Sequence, residues 1–333
     1  MPGLVGLASV ATRQLEFATD ESEGRDGCEA KAAPFLKWAG GKKRLLDELV
    51  VRSPLRFRRY YEPFLGGGAL FFGLAPRQAY LSDANEELIA CYHAVRDETE
   101  QVIEVLAQYQ QRHSASHYYE IRQRWNEERD ELDRPERAAA FIYLNRTCYN
   151  GLWRVNSRGA YNVPLGSYVR PRILNAAVLR SAAHALRSAV LESRSFEWVL
   201  DSAGPDDFVY FDPPYDPLSA TSSFTSYTAG CFGDAEQACL ASAFRELDRR
   251  GCTVVLSNND TPLIRRLYAG FELQQVYCSR AINSRASGRK AIAELIVTNG
   301  RSRRQEPSQN NLNKVLAMRR PDGKERGGRI LSV

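Results

Sequence analysis

Short apolar runs bounded by turn residues recur along the chain at 59–62, 79–82, 189–192, 208–212, 253–257, 272–278 and 291–298. Their length and their β-branched and aromatic content predict seven strands. Most are separated by segments with apolar residues every third or fourth position, the order that a doubly wound α/β sheet requires. The spacing is uneven, because residues 85–188 hold no good parallel-strand signal. They carry helical patterns around 86–96, 99–112, 116–128 and 135–143, followed by "WRVNSRGAYNVPLG". Ser157-Arg158-Gly159 in that stretch predicts a hairpin turn. The pattern thus describes a discontinuous sheet domain, 34–88 and 188–300, with a helical insert carrying a β-hairpin at 89–187. Residues 1–33 and 301–333 are polar and lack periodicity, and are expected to be a disordered extension and a flexible basic tail. No internal repeat is present.

Composition narrows the class. A chain of 333 residues with 44% hydrophobic content builds a sizeable core, and no run reaches the roughly 20 apolar residues of a membrane span. The first residues lack the basic region of a signal peptide. Seven cysteines without CxxC spacing read as reduced thiols of an intracellular protein, so the cytoplasm is the expected compartment. The four histidines, at 93, 113, 117 and 184, stand apart from cysteine pairs, and no metal is expected.

Charge is distributed unevenly behind a net +5. Residues 301–333 carry nine Lys and Arg against three Asp and Glu, which leaves the body near neutral. Within that body, residues 137–191 hold eight arginines and no acid, although 40 acids in 333 residues would put six or seven in a stretch that long. A charge bias usually marks a solvated face. One that excludes acids over such a length is the footprint of a polyanion.

Three segments carry candidate chemistry. In "RYYEPFLGGGALFF" a strand ends near Glu62 and Gly66-Gly67-Gly68 precede an apolar helix. Such glycines permit a sharp turn and a close ligand approach, at the sheet edge where nucleotide-like cofactors sit. In "YLSDANEEL" Asp83 ends the next strand, where it either accepts from ribose hydroxyls or caps the following helix; the two readings stay even. In "PFLKWAGGKKRLLDEL" a helix is expected just after Gly40-Gly41, with Lys42, Lys43 and Arg44 crowding its first turn. Cations there oppose the helix dipole by about 0.3–1 kcal/mol each, which a nearby anionic group would offset. Trp38 beside the glycines either joins the core or stacks on a flat ligand.

The stretch "DDFVYFDPPYDPLSATSSF" is the most informative. An apolar strand ends in Asp212, and Pro213 and Pro214 can donate no backbone hydrogen bond. Asp212 and the carbonyls at the prolines therefore form a set of acceptors beside the π face of Tyr215. That set suits a planar heterocycle with an exocyclic amine, whose protons the acceptors would take while aiming its lone pair. A buried strand ending in a turn explains Asp-Pro but not the whole tetrapeptide.

Together, "FLKWAGGK", "EPFLGGG", "LSDANEEL", "FIYLNRTCYNGLWRVNSRGAYNVPLG", "DPPYDPLSATSSFTSY" and "LSNND" resemble the Dam-type DNA adenine N6-methyltransferases, in the same order and across about residues 34–299. The resemblance implies a Rossmann-like doubly wound mixed sheet of seven strands with an inserted DNA-recognition domain. It implies S-adenosyl-L-methionine as cofactor and methylation of adenine N6 in double-stranded DNA within GATC, by base flipping and direct in-line transfer. Asp212, Pro213, Pro214 and Tyr215 match the catalytic tetrapeptide. Trp38, Lys42, Glu62, Gly66, Gly67, Gly68, Asp83, Phe196 and Asp212 match the cofactor site. In the insert, Arg154 matches the guanine-reading arginine, and Tyr149 and Asn150 match residues that enter the base stack. Lys37 and Leu152 match positions at the outer base pair, Pro164 sits on the far side of the hairpin, and Arg146 belongs to the same DNA-binding set. A monomer is expected, cytoplasmic and either bacterial and nucleoid-associated or phage-encoded.

Two alternatives remain at this level: cytosine N4 methylation on the same fold, and a DNA-binding protein without catalysis. The Asp of the tetrapeptide, where cytosine enzymes more often carry Ser, weighs against the first. Its intactness, with that of the glycine turn, weighs against the second. Removing 301–333 should weaken DNA binding evenly across sequences and flatten its salt dependence. An unchanged slope of log affinity against log salt would show that the tail does not reach the phosphates.

Overall fold

The computed structural model describes residues 31–38, 45–217, 232–279 and 291–301. Its strands are β1 (Tyr60–Glu62), β2 (Ala79–Asp83), β3 (Ala189–Ser193), β4 (Phe208–Phe211), β5 (Thr253–Asn259), β6 (Glu272–Ser279) and β7 (Ala291–Thr298). They form one seven-stranded sheet in the order β3-β2-β1-β4-β5-β7-β6. The pairs from β3 to β5 are parallel, and β7 runs antiparallel to both its neighbours. Every residue of β4 is buried, as a central parallel strand covered on both faces must be.

Alternation along the strands divides the core in two. Tyr60, Leu81, Phe208, Tyr210 and Val255 face one cluster, while Tyr61, Val209, Phe211, Val254 and Leu256 face the other. A strand period of two sends neighbours to opposite faces. The first face is covered by helices that include α1 (Leu46–Arg52), α2 (Ala69–Leu74) and α3 (Glu86–Asp97). Four further helices follow before β3: α4 (Thr99–Arg112), α5 (Ala115–Glu127), α6 (Arg134–Thr147) and α7 (Ala176–Leu186). The second face is covered by α8 (Val199–Ser202), α9 (Asp234–Arg249) and α10 (Pro262–Leu267).

Capping side chains set several of these starts. Asn85, Ser114, Asp133 and Asn175 each accept the third backbone N–H of α3, α5, α6 and α7, an interaction that stabilises a helix start by about 1 kcal/mol. The helix α6 is buried nearly all round, from Ala138 to Asn145, so it lies among other helices rather than on a surface. Its core residues belong to the same cluster as the sheet residues Phe208 and Tyr210. α7, AAVLRSAAHAL, is absent from the expected helices, although its buried Leu179, Ala182, Ala183 and Leu186 recur at helical spacing. The hairpin is narrower than two full strands. Two bridges, Cys148 with Leu165 and Val155 with Tyr161, hold it. Its turn closes through Asn156 N–H to the Ala160 carbonyl at 2.9 Å, with Gly159 at φ +76°. No helix among the described residues is long and apolar enough to cross a membrane.

The start of the two central strands is pinned by a buried acid. Asp207, fully buried, accepts from the guanidinium groups of Arg58 and Arg59, with closest contacts of 3.1 and 2.7 Å, and from Gly204 N–H at 3.0 Å. Removing one member of such a cluster strands the others. Asp207→Ala should therefore cost about 2–4 kcal/mol in urea unfolding. A loss below about 1 kcal/mol would show that water re-solvates both arginines.

Candidate functional site

The site grows from the carboxyl ends of β1 and β4, where the connections leave the sheet in opposite directions. After Glu62 the chain bends into Gly66–Gly68. Gly66 and Gly68 sit at φ +47° and +65°, in the left-handed region. A Cβ on Gly66 would lie 2.7 Å from Trp38 Cδ1, so the indole rests directly on the turn. Gly67 is less constrained, its Cβ position lying 3.3 Å from Trp38 Cβ. Gly66 N–H donates to Asp83 Oδ2 at 3.0 Å, and Tyr92 OH donates to the Gly66 carbonyl at 3.0 Å. Asp83 Oδ1 accepts from Asn85 N–H at 3.0 Å. The cap of α3 is Asn85, not Asp83, so Asp83 serves to tie the end of β2 to the glycine turn. Of the two readings that the sequence leaves even, the capping one is withdrawn.

At β4, Asp212–Tyr215 follow the strand directly. Ser257 Oγ donates to Asp212 Oδ1 at 2.8 Å and lies 2.9 Å from Tyr210 OH. With Ser257 donating to the acid, Tyr210 must donate to Ser257. The prolines cannot continue a ladder, and side chains take its place. Gln237 Nε2 donates to the Pro214 carbonyl at 3.0 Å, and Asn258 Nδ2 donates to Gln237 Oε1 at 3.1 Å. Asn258 Oδ1 accepts from Asp216 N–H at 3.0 Å, and Asn259 Nδ2 donates to the Asp216 carbonyl at 2.6 Å. Tyr215 OH donates to Glu294 Oε2 at 3.0 Å. Among the described residues none donates to the Pro213 carbonyl, which lies directly beside the Asp212 carboxylate.

Three acids converge here. Glu62 is buried and accepts from Tyr60 OH at 2.8 Å. Burial pushes its carboxyl up to about 8; the Tyr60 hydrogen bond opposes this, while Asp212 and Asp83 add like charge. Burial likewise raises Asp83, against the N–H groups of Gly66 and Asn85. Among the described residues neither Glu62 nor Asp83 forms an ion pair, so the crevice favours a ligand with positive charge. No group of His, Cys, Asp or Glu among the described residues has the arrangement of a metal site.

A second cluster adjoins the first through consecutive residues. Trp38 lies on the glycine turn, while Lys37 is held by α6: Asn145 accepts from Lys37 N–H at 2.8 Å and donates to its carbonyl at 2.6 Å. Lys37 Nζ donates to the Arg146 carbonyl at 3.0 Å and sits 3.8 Å above the Tyr168 ring. Burial, then Arg146, lowers the Lys37 ammonium; burial, then Arg172, lowers the Arg146 guanidinium. Arg146 Nε is buried without a hydrogen-bond partner among the described residues. Cations so placed, without acids, are costly until an anion arrives.

The loop that follows projects outward. Tyr149 is 51% exposed, and its N–H donates to the Pro164 carbonyl at 2.9 Å. Asn150 adopts φ +55°, a left-handed backbone rare outside glycine, and Gly151 follows at φ +64° against Lys37. Leu152 is half-buried, Trp153 packs inward on Phe141 with ring centroids 3.9 Å apart, and Arg154 points to solvent. Arg154 Nε donates to Asn162 Oδ1 at 2.8 Å across the hairpin. Lys37, Arg146, Tyr149, Asn150, Leu152, Arg154 and Pro164 thus gather around one hairpin. Phe196 is buried at the end of β3, its ring 5.5 Å from that of Phe64. Lys42, Lys43 and Arg44 lie outside the described residues, as does much of the "DPPYDPLSATSSFTSY" stretch; the helix expected just after Gly40-Gly41 is described from Leu46, and Asp47 and Glu48, not the three cations, occupy its first turn.

The arginine run needs a correction. Arg137 and Arg180 pair with Glu87 and Glu100, 2.6 and 2.7 Å away, from outside the acid-free stretch. An anion-binding role is therefore restricted to the others. Residue-by-residue reading passed over Ser257, Asn258 and Asn259, although they lie in the quoted "LSNND". Gln237, Glu294, Asn145 and Asn162 carry no local signal, because their partners are remote in sequence.

Residues 38–282 match the family described as D12 class N6 adenine-specific DNA methyltransferase. The chain is 42% identical over 269 residues to the type II methyltransferase M1.LlaDCHI of Lactococcus lactis subsp. cremoris, covering 80% of this chain and 95% of that one. It is 39% identical to M.MjaIII of Methanocaldococcus jannaschii, over 80% and 98% of the two chains. To the DNA adenine methylase of Escherichia coli K12 it is 37% identical, over 80% and 95%.

The raised Glu62 carboxyl has a consequence for pH. A group that holds its proton more tightly when folded favours folding at low pH, and that contribution is lost as pH rises from the ordinary value of 4.5 through about 8. Glu62→Gln should flatten the fall in melting temperature across that window in ligand-free protein. A variant whose pH profile runs parallel to wild type would show that Glu62 is not the group responsible.

Proposed function

The chain belongs to the D12 class N6 adenine-specific DNA methyltransferase family, and on that premise we propose that it methylates adenine N6 in double-stranded DNA, within GATC, using S-adenosyl-L-methionine. The observation that carries this reading is the acceptor pair at the end of β4. Asp212, held by Ser257, and the Pro213 carbonyl, to which no described residue donates, follow the strand that pairs with β1, the strand leading into the glycine turn.

Adenine inside a duplex cannot present its amine to this crevice, so the base must be extruded. The Tyr215 ring then offers a stacking face, with Pro214 holding the turn between ring and acid. Asp212 and the Pro213 carbonyl accept the two N–H groups and direct the nitrogen lone pair toward the glycine turn. Bound S-adenosyl-L-methionine supplies an electrophilic methyl on a positively charged sulfur. With that group bound, an N–C bond would form at the expense of the S–C bond, whose electron pair would stay with sulfur. The proton lost from nitrogen passes to Asp212 or to water, and no covalent enzyme intermediate is needed. Orientation and fixed dipoles contribute most of the acceleration.

The cofactor residues fit such a group. Trp38, half-buried on the Gly66–Gly68 turn, offers aromatic surface, Phe196 packs in the core, and Glu62, Asp83 and Asp212 complement positive charge. In this reading 34–88 and 188–300 carry catalysis, and 89–187 reads DNA. Arg154 reads guanine with its Nη pair, its Nε being engaged by Asn162. Tyr149 and Asn150 fill the gap left by the extruded base. Lys37 and Leu152 meet the outer base pair, Pro164 lies on the far side of the hairpin, and Arg146 meets the backbone. The same reading sets the protein in the cytoplasm, beside its substrate.

Labelled S-adenosyl-L-methionine and a panel of duplexes test this directly. Label should appear on adenine of GATC and on no other base. Asp212→Ala should abolish transfer while leaving DNA affinity within a few-fold; transfer near the wild-type rate would refute its role. Arg154→Ala should relax discrimination at one guanine by about 1–3 kcal/mol. Equal losses on matched and mismatched sites would argue against it.

A further inference from the structure

We propose that Ser257 and Glu294 are positioning residues for the methyl transfer, fixing Asp212 and Tyr215 from two adjacent strands of the sheet. The inference rests on reading Asp212–Tyr215 as the reacting loop. A terminal carboxylate torsion is broad and roughly two-fold, so an aspartate alone does not choose which oxygen faces the substrate. Ser257 makes that choice by donating to Oδ1 at 2.8 Å, and Tyr210 OH, 2.9 Å away, keeps the serine proton pointed at the acid. A tyrosine ring anchored only at its Cβ can tilt. Glu294 fixes the far end by accepting from Tyr215 OH at 3.0 Å.

Both anchors belong to one ladder. Ser257 pairs with Ile296 and Asn259 pairs with Glu294 along the antiparallel contact of β5 with β7. The separation of carboxylate and ring is therefore set by a sheet rather than by the proline turn, and strands hold a constellation more tightly than loops do. Ser257 is fully buried, and Glu294 is half-buried and is the one charged residue of β7. Polar groups in such positions disfavour folding unless they are bonded. Their partners here are the two residues that the chemistry requires to be still.

The test measures single-turnover methylation of a pre-formed protein–duplex complex for Ser257→Ala, Glu294→Ala, Glu294→Gln, Tyr215→Phe and the double variant Tyr215→Phe/Glu294→Ala. Ser257→Ala and Glu294→Ala should each slow the step by roughly 10- to 100-fold, with duplex Kd close to wild type. Glu294→Gln, which keeps an acceptor, should recover most of the loss. The double variant should be no slower than the slower single one, because both changes remove the same bond. A 2-aminopurine at the target position should show altered fluorescence in Glu294→Ala, reporting a changed stacking surface. Additive losses, a glutamine variant as slow as the alanine one, or rates within two-fold of wild type would overturn the positioning role. Methylation of adenine by wild type separates the two levels. With it present, these results overturn the positioning role alone; without it, the reading of the site falls and the positioning role with it.

Discussion

Parallel strands whose connections depart in opposite directions cannot close the gap between their carboxyl ends, and β1 and β4 are such a pair. All of the local chemistry is arranged around that gap. β1 contributes Glu62 and the glycine turn, β2 contributes Asp83, and β4 contributes Asp212 and its prolines. β5 runs parallel to β4, so Ser257 and the two asparagines emerge at the same edge. β7 reaches it only because it is antiparallel. Its early residue Glu294 lies opposite Asn259, where a parallel strand would have brought a late residue instead. The reversal of one strand thus supplies a contact that a wholly parallel sheet would lack.

Backbone satisfaction explains why so many amide side chains surround the tetrapeptide. Two consecutive prolines remove two N–H donors, so the connection cannot extend the ladder of β4. Gln237, Asn258 and Asn259 replace the missing ladder with bonds to Pro214 and Asp216. The carbonyl they leave untouched, at Pro213, lies next to Asp212. Rigidity and reactivity come from the same arrangement: each acceptor consumed by the clamp narrows the places where a ligand can bind. The acids follow a similar logic. Holding Glu62 in a buried site disfavours its charged form, a tension that a cationic ligand relieves.

Much of the sheet was legible because apolar runs of four to eight residues bounded by turns have few other uses. The limits of β7 coincide with the apolar run. β5 extends two residues further than its run, to Asn259, because its polar end is buried by side-chain bonds that no periodicity reveals. α6 extends to Thr147, beyond its apolar run. The glycine turn was visible from composition, whereas the partner of Asp83 was not, since Gly66 lies seventeen residues away. Glu294 and Gln237 were out of reach for the same reason. The arginine stretch misled in part, because Glu87 and Glu100 are distant in sequence and adjacent in space. Most assignments at the hairpin came from resemblance to a family, and nothing in local spacing would have separated Arg154 from its neighbours.

The hairpin adds a consequence for how such a protein diverges over generations. Trp153 and Tyr161 are bound into a core that is continuous with the sheet, so the unit cannot be exchanged wholesale between lineages without reopening that core. Arg154, Asn162 and Pro164 stand on the opposite side of the same ribbon and have no part in the interior. Substitutions there fall in the class that shifts stability by only about 0.5 kcal/mol. If Arg154 reads the partner as proposed, preference for one partner over another is free to drift by single steps while the scaffold is inherited intact.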